Sequence, residues 1–426
     1  MALTDKKADT LAARVADLGH APDGWLAQAQ QRAATRLAAM GLPGPREEYW
    51  RYTNPGLLNT PTPAHVLAMD DADQDVFDGI ARLRVVFTNG RFDAEASDTL
   101  SEAGVEMAPL SSAGKADIHW ARDHYARLET AGQEAVARPH AVLNSAYATD
   151  GVVLRATADV ARPIQIIYRG AATADAILHH VIRVEPGARL TVLETGQGGA
   201  RLSTAIEADV GAGGVLHHVR AQPRTGGFVA NAHLFAKLGA NSILKSFTLS
   251  GAGQLVRNES VIDLQGDDGV AHIAGVLVGG DGAHHDDTVF MIHAAERCES
   301  RQVYKRVLRD ATTGVFQGKI LVRAGAQKTD GYQISQSLLL DAASQSLAKP
   351  ELEIYADDVK CSHGSTTGAI DETALFYLRS RGVPQARAEA LLVLAFLAEA
   401  VTEIEDEAVA AAILAQLKTW LGSDID

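Results

Sequence analysis

For about 200 residues from Gly151 the chain offers short apolar strands separated by turn residues, and no helical pattern interrupts them. Val152-Val153-Leu154-Arg155, Ile164-Gln165-Ile166-Ile167-Tyr168, Val181-Ile182-Arg183-Val184 and Leu190-Thr191-Val192-Leu193 open the series. A glycine turn leads into a strand at Pro186–Leu190, again at Gly211–Leu216 and again at Gly239–Leu244. That echo returns at roughly 24–30 residues, the length of a solenoid coil rather than of a hairpin. The lack of crossover helices argues against a βαβ fold. A β-solenoid fits, because each coil buries its small and apolar inward face only by stacking on its neighbours. The period is not strict, so a β-sandwich or jelly roll stands as the competitor.

Helices flank this run. Leu11, Val15 and Leu18 recur at helical spacing, and Trp25 to Met40 predicts a helix stopped by Gly41 and Pro43. Glu47-Glu48-Tyr49-Trp50-Arg51-Tyr52-Thr53 is dense in aromatics for a chain with 5% of them, and reads as a segment docking the N-terminal helix onto the body. Leu83 to Thr88 predicts a strand entering a tight turn at Asn89-Gly90, and helical composition returns from Ile118 to Val136. Past the strands, Asp371 and Glu372 signal a helix start; Leu375, Phe376 and Leu378 lead to Arg379, Arg381 and Gly382, a basic last turn with glycine beyond it. Pro384 opens a second helix through Leu391, Leu394 and Leu397 toward Ile404, and Ala408 to Trp420 forms a third. Such a bundle is suited to binding a partner. The chain divides into a helical and mixed region over 1–150, a solenoid over 151–368 and a helical domain over 369–426.

A net charge of -14 speaks against nucleic acid as a partner. The N-terminus lacks the apolar stretch of a secretory signal, and the most apolar helical run, Ala390 to Ala398 between Glu389 and Glu399, is too short to span a bilayer. Two cysteines, Cys298 and Cys361, make no disulfide framework. A soluble cytoplasmic protein with no membrane partner is expected. Nucleotide motifs fail: Gly314-Val-Phe-Gln-Gly-Lys-Ile has too few residues between its glycines and Ile320 where Ser or Thr is needed, and Gly196-Gln-Gly-Gly-Ala-Arg has Arg201 where the third glycine of a dinucleotide fingerprint belongs. No Gly-x-Ser-x-Gly elbow or His-Glu-x-x-His pair is present. Histidines fall in adjacent pairs, His179-His180, His217-His218 and His284-His285; on a strand neighbours point to opposite faces, which predicts one solvent-facing and one packed imidazole in each. His285 and His293, flanking Asp286-Asp287, make a richer cluster. Asp357 and Asp358 alternate to opposite faces, a solvated and a turn-capping carboxylate rather than a catalytic pair.

The seam between strands and helices, Leu352 to Phe376, carries the best candidate chemistry. Leu352, Ile354 and Ala356 alternate with Glu353, Tyr355 and Asp357 as in a strand, and Cys361 and His363 follow two residues apart, on one face of an extended chain. A buried structural thiol beside an incidental imidazole is one reading. The other takes the polar, glycine-rich surroundings as those of an exposed pair of soft donors, suited to iron or an iron–sulfur cluster. A cluster usually takes four protein ligands and this strand supplies two at most, so such a site must be shared with another chain.

These residues bring a resemblance into view. Met291-Ile-His-Ala-Ala-Glu-Arg-Cys-Glu-Ser, Tyr304-Lys-Arg-Val-Leu, Gly314-Val-Phe-Gln-Gly-Lys-Ile, Ala326-Gln-Lys-Thr-Asp, Leu338-Leu-Leu, Lys349-Pro-Glu-Leu-Glu-Ile-Tyr-Ala-Asp-Asp-Val-Lys-Cys-Ser-His-Gly and Leu375-Phe-Tyr-Leu-Arg-Ser-Arg-Gly resemble the SufB/SufD family of the SUF iron–sulfur cluster assembly scaffold, on its SufD side. Glu48-Tyr-Trp-Arg-Tyr-Thr looks like that family's N-terminal signature; over roughly residues 55–280 the likeness is one of texture. The resemblance implies a right-handed parallel β-helix core with flanking helices, a non-enzymatic scaffold, pairing with a SufB-like paralogue through the β-helices, and docking of a SufC-like ATPase near Leu375, Phe376, Tyr377, Arg379, Arg381 and Gly382. It implies that a transient cluster forms at the subunit interface, with His363 as a ligand and Cys361 close by. A homodimer of the isolated chain is the other assembly it leaves open, and any flavin would belong to the whole complex, since this chain has no flavin motif. Ser365, Thr367 and Gly331 depart from the residues usual in the family. The rival readings are a β-solenoid enzyme acting on polysaccharide and a structural adaptor in which Cys361 and His363 only pack.

Overall fold

A computed structural model describes residues 5–66, 75–117, 119–224, 227–251 and 253–422. From Val152 to Gly368 successive strands alternate between two sheets, and neighbours within each sheet run parallel. Arg201, Val229, Leu255, His284, Thr313 and Gln345 stack in register, so each coil takes roughly 26–32 residues. This is the parallel solenoid, not the sandwich. The sheets also take in strands from before residue 151: Leu83–Thr88 pairs with Ile164–Arg169, and Val105–Pro109 runs antiparallel to Val152–Ala156. The turn at Asn89-Gly90, with φ of 51° and 75°, folds Arg91–Phe92 back on Leu83–Thr88 as expected.

The interior between the sheets is apolar over most of its length, with Leu190, Leu216, Leu244 and Ala271 stacked in one inward column facing Ile206, Leu234 and Ile262 of the opposite sheet. The outward faces are covered too. Val393, Leu397, Val401, Ile413 and Leu417 of the helices Gln385–Val401 and Glu407–Leu421 pack on Phe247, Val276 and Val303 of one sheet. Charged and polar contacts bind that layer at its rim, among them Glu399 paired with Lys305 at 2.5 Å, Glu405 with Lys245 at 3.2 Å, and the Glu403 carboxylate 2.8 Å from His272. Asp371 and Asp406 cap their helices by accepting from two backbone N–H groups each, which ends strand geometry at Asp371.

The other sheet is covered by the N-terminal region, and Glu47–Thr53 docks there as read from its aromatics. Tyr49 packs on Phe290 and donates its hydroxyl to Glu351 at 2.5 Å; Trp50 lies under the Arg257 guanidinium at 4.1 Å; Thr53 donates to Asp286. Arg257 in turn pairs with Asp286 and Glu259 in full burial, an arrangement whose disruption is costly because it strands a charge. This cover corrects the reading of the histidine pairs. His179 and His180 do face opposite ways, but neither reaches solvent: His179 bridges Asn144 and Glu207 beneath the helix Pro139–Tyr147, and His180 turns inward to the Tyr168 hydroxyl at 3.0 Å. Ile118, where helical composition was read to resume, lies outside the described residues, as do Met1 to Thr4; the stretch beyond Ile118 forms short helices at Trp120–Asp123 and Arg127–Ala131.

Polar groups inside the solenoid are mostly paired with one another. Glu194 accepts from His218 at 2.5 Å and from Arg220 at 2.6 Å; Asp287 takes Arg306 at 2.8 Å, and His293 lies 2.8 Å from the Ser300 hydroxyl. Burial pushes His293 down to about 4, and burial opposed by Asp287 leaves His285 at about 4 also. Both are therefore neutral in the fold near neutrality. Below the ordinary histidine value of about 6.5 the unfolded chain binds protons that the folded chain refuses until about pH 4, so stability falls as pH falls through that window. Thermal unfolding followed from pH 7 to 4.5 should show the midpoint dropping, with each such histidine adding up to about 1.4 kcal/mol per pH unit. His293→Gln should flatten that slope; equal slopes in both proteins would contradict the assignment.

Candidate functional site

The solenoid ends without a cap. Gln345–Ile354 is the edge strand of one sheet and Lys360–Gly368 that of the other, and exposure rises from coil to coil toward them. The strand read through Asp357 stops at Ile354; residues 355–359 turn the corner, and Lys360 begins the next strand. Asp357 and Asp358 are both exposed in that corner, not on alternating faces of a strand.

Register places the two candidate donors. Cys361 continues the inward column Ala271, Ser300, Gly331, and His363 continues the column Ile273, Gln302, Gln333. Paired residues of parallel strands point to the same face, so both donors belong to the inward face of a coil with no further coil over it. Cys361 is half-buried against the apolar interior, and burial, aided by Asp330, pushes its thiol up. A Cβ at Gly331 would come within 3.3 Å of the Cys361 sulfur, so glycine there gives the thiol its room. His363 is exposed. Beside them an open groove of about 390 Å³ is lined by Arg301, Asp330, Tyr332, Lys360, Cys361 and Ser362, with the Arg301 guanidinium 5.8 Å from the Tyr332 ring. Among the described residues no group of three or more His, Cys, Asp and Glu could hold a metal ion, so the pair stands alone within one chain. Cys298, buried at an earlier corner and directed at the Gly266 carbonyl, takes no part.

The second candidate surface follows at once. The helix Glu372–Ser380 buries none of its residues fully; Phe376 is 72% and Tyr377 57% exposed, while Leu375 and Leu378 are half-buried. Arg381 stacks on Tyr377 at 5.0 Å and donates to its hydroxyl, and Gly382 leaves the helix at φ 89°. The large exposed apolar residues among those described are Leu340, Ile354, Tyr355, Phe376 and Tyr377. Leu340 lies at the corner leading into the last coil and the other four lie on that coil or on the helix that follows it, so large apolar exposure is gathered at one end of the solenoid. Sequence reading found the helix but missed Ile354 as exposed, because alternation puts it on the inward face with Leu352 and cannot show that the coil expected to cover it is missing; Tyr355 was set on the polar face, and Leu340 carried no reading of its own. The lookalike Gly314–Ile320 falls inside the strand Thr313–Val322, which leaves no loop to cradle a phosphate.

Fold and site together define a two-sheet parallel β-solenoid scaffold, closed by helices on its sides and open at the coil that bears a thiol and an imidazole. A family model described as SUF system FeS cluster assembly, SufBD core domain, matches residues 167–396. The chain is 30% identical over 404 residues to the iron–sulfur cluster assembly protein SufD of Escherichia coli, covering 92% of each. It is 26% identical over 405 residues to an iron–sulfur cluster assembly SufBD family protein of Synechocystis (90% of this chain, 88% of that one), and 32% identical over 152 residues to SufD of Bacillus subtilis (36% and 35%). The chain belongs to the SufBD family. No helix among the described residues is long and apolar enough to cross a membrane.

The exposure of the helix Glu372–Ser380 carries a prediction. Phe376→Ala and Tyr377→Ala should each stay within about 0.5 kcal/mol of the parent in urea unfolding, because neither ring fills the fold. A loss of more than about 1 kcal/mol would mean that the helix packs in a way its exposure denies.

Proposed function

We propose that this chain is a non-catalytic scaffold subunit for iron–sulfur cluster assembly, lending His363, with Cys361 beside it, to a nascent cluster whose other ligands come from a second chain. The observation that carries the reading is an incomplete set of soft donors on the inward face of an uncapped coil. Thiolate and imidazole are ligands that iron–sulfur clusters accept, and two of them are too few to hold one. A SufB-like paralogue is the partner proposed for the open end, where the edge strands keep unpaired N–H and C=O groups and Leu340, Ile354 and Tyr355 stand exposed. A SufC-like ATPase is the partner proposed for the helix Glu372–Ser380, through Leu375, Phe376, Tyr377, Arg379, Arg381 and Gly382. The cluster is cargo, built at the interface and passed on in the cytoplasm; without its paralogue the chain would pair with a second copy through the same end.

His363→Ala tests the reading. The imidazole is exposed, so the variant should fold and melt as the parent does. Reconstituted with the paralogue, the ATPase, iron and a sulfide source, the variant complex should retain at least about tenfold less iron and acid-labile sulfide than the parent, since even loss of a residue that only supports a ligand costs about that much. Unchanged loading refutes the ligand role. Cys361→Ser in the same assay separates a thiol that binds, which loses loading as His363→Ala does, from one that only packs.

A further inference from the structure

Two buried amides stand behind His363 with nothing to bond. Gln333 is fully buried one coil below His363 and in register with it; Gln302 is fully buried one coil below Gln333. Neither the oxygen nor the nitrogen of either amide has a hydrogen-bond partner among the described residues. Other polar side chains of these columns do have partners, His218 with Ser246 and Ser300 with His293 among them. A buried side-chain amide can make about four hydrogen bonds, and leaving all of them unmade in an apolar interior is costly enough that native folds seldom do it. The opposite sheet makes room for this amide rather than squeezing it out: a Cβ added at Gly318 would overlap the Gln333 amide nitrogen.

We propose that Gln333 is a positioning residue for His363, its side-chain carbonyl accepting the N–H of the imidazole nitrogen that faces the solenoid interior. The two side chains leave adjacent strands in register, about 4.8 Å apart and on one face. They are not bonded as the structure stands, the amide lying toward Gly318 and the imidazole exposed; the proposed bond forms when the His363 ring rotates inward over Gln333. An imidazole bound to metal through one nitrogen carries its proton on the other, and a fixed acceptor for that proton sets the tautomer and the ring's orientation. A buried carboxylate in this place would also raise the ligand's basicity and tighten its grip. A neutral amide orients the ring without adding charge, which suits cargo that must be released. Gln302 continues the polar column one coil deeper but lies beyond direct reach of the ring. The inference rests on the ligand role proposed above for His363.

The test uses the full chain labelled with [15N]histidine, with His363 assigned by the signals that vanish in His363→Ala. Nitrogen shifts report the tautomer directly. The parent should hold one tautomer of His363 in at least about tenfold excess, as a fixed acceptor dictates. Gln333→Leu, of similar size and at home in an apolar interior, should return the ring to the mixture of a free imidazole, and Gln302→Leu should not. Gly318→Ala, which evicts the amide without altering Gln333, should reproduce the effect if Gln333→Leu fails to fold. A tautomer ratio unchanged in Gln333→Leu, or in Gly318→Ala where that variant stands in for it, overturns the positioning role and leaves the ligand reading intact. Collapse of the ratio in Gln333→Leu, with full cluster loading by His363→Ala, would uphold the hydrogen bond and remove the ligand reading instead.

Discussion

A coil in the middle of a solenoid has its backbone groups bonded on both edges and its inward side chains covered by the coils before and after it. The coil formed by Gln345–Ile354 and Lys360–Gly368 has this on one edge only. Its other edge keeps a row of donors and acceptors, and its inward residues meet solvent. Edge strands of this length are templates for pairing, and proteins that do not pair usually blunt them with bulges, charge or a covering helix. Here the helix Glu372–Ser380 follows immediately yet buries none of its own residues fully. The other end of the solenoid is treated differently: Arg91–Phe92 and Val105–Pro109 close the sheets there with antiparallel strands.

The interior changes along the same axis. In one inward column the early coils place Leu190, Leu216, Leu244 and Ala271 and the last coils Ser300, Gly331 and Cys361, while the column beside it carries polar residues both early, at His218 and Ser246, and late, at Gln302, Gln333 and His363. Small and polar residues near the end stabilise the last coils less than hydrocarbon would. Buried apolar area contributes about 25 cal/mol per Å², and a serine or glycine offers little of it. The sequence thus accepts a weaker end where its exposed donors stand, consistent with a coil that a second chain completes.

Much of this was legible in the residues. Glycine turns recurring at coil length pointed to a solenoid but left a sandwich as competitor, which the family resemblance and then the strand register decided against, and Asp371 with Glu372 marked where the strands stop. The Glu47–Thr53 segment showed its docking role through aromatics too dense to leave in water. Cys361 and His363 were found as a pair because alternation puts i and i+2 on one face. Other features stayed hidden because they depend on which coils lie next to each other. His179 is buried by a helix whose placement no local pattern announces. Gln333 carries no signal of its own, since a glutamine on a strand is ordinary, and only the offset of one coil from His363 makes it noticeable. That offset could have been applied in advance by stepping back about 30 residues, had the coil length near the end been known.

The central claim is that the open coil is completed by another protein. Amide hydrogen exchange on the full chain, alone and mixed with the SufB-like partner proposed for the open end, tests it most directly. Protection should appear in Gln345–Ile354 and Lys360–Gly368 on mixing, while interior strands such as Val229–Leu238 keep the slow exchange they already have. If the two edge strands exchange as fast in the mixture as in the free chain, with protection arising elsewhere or nowhere, the account is contradicted.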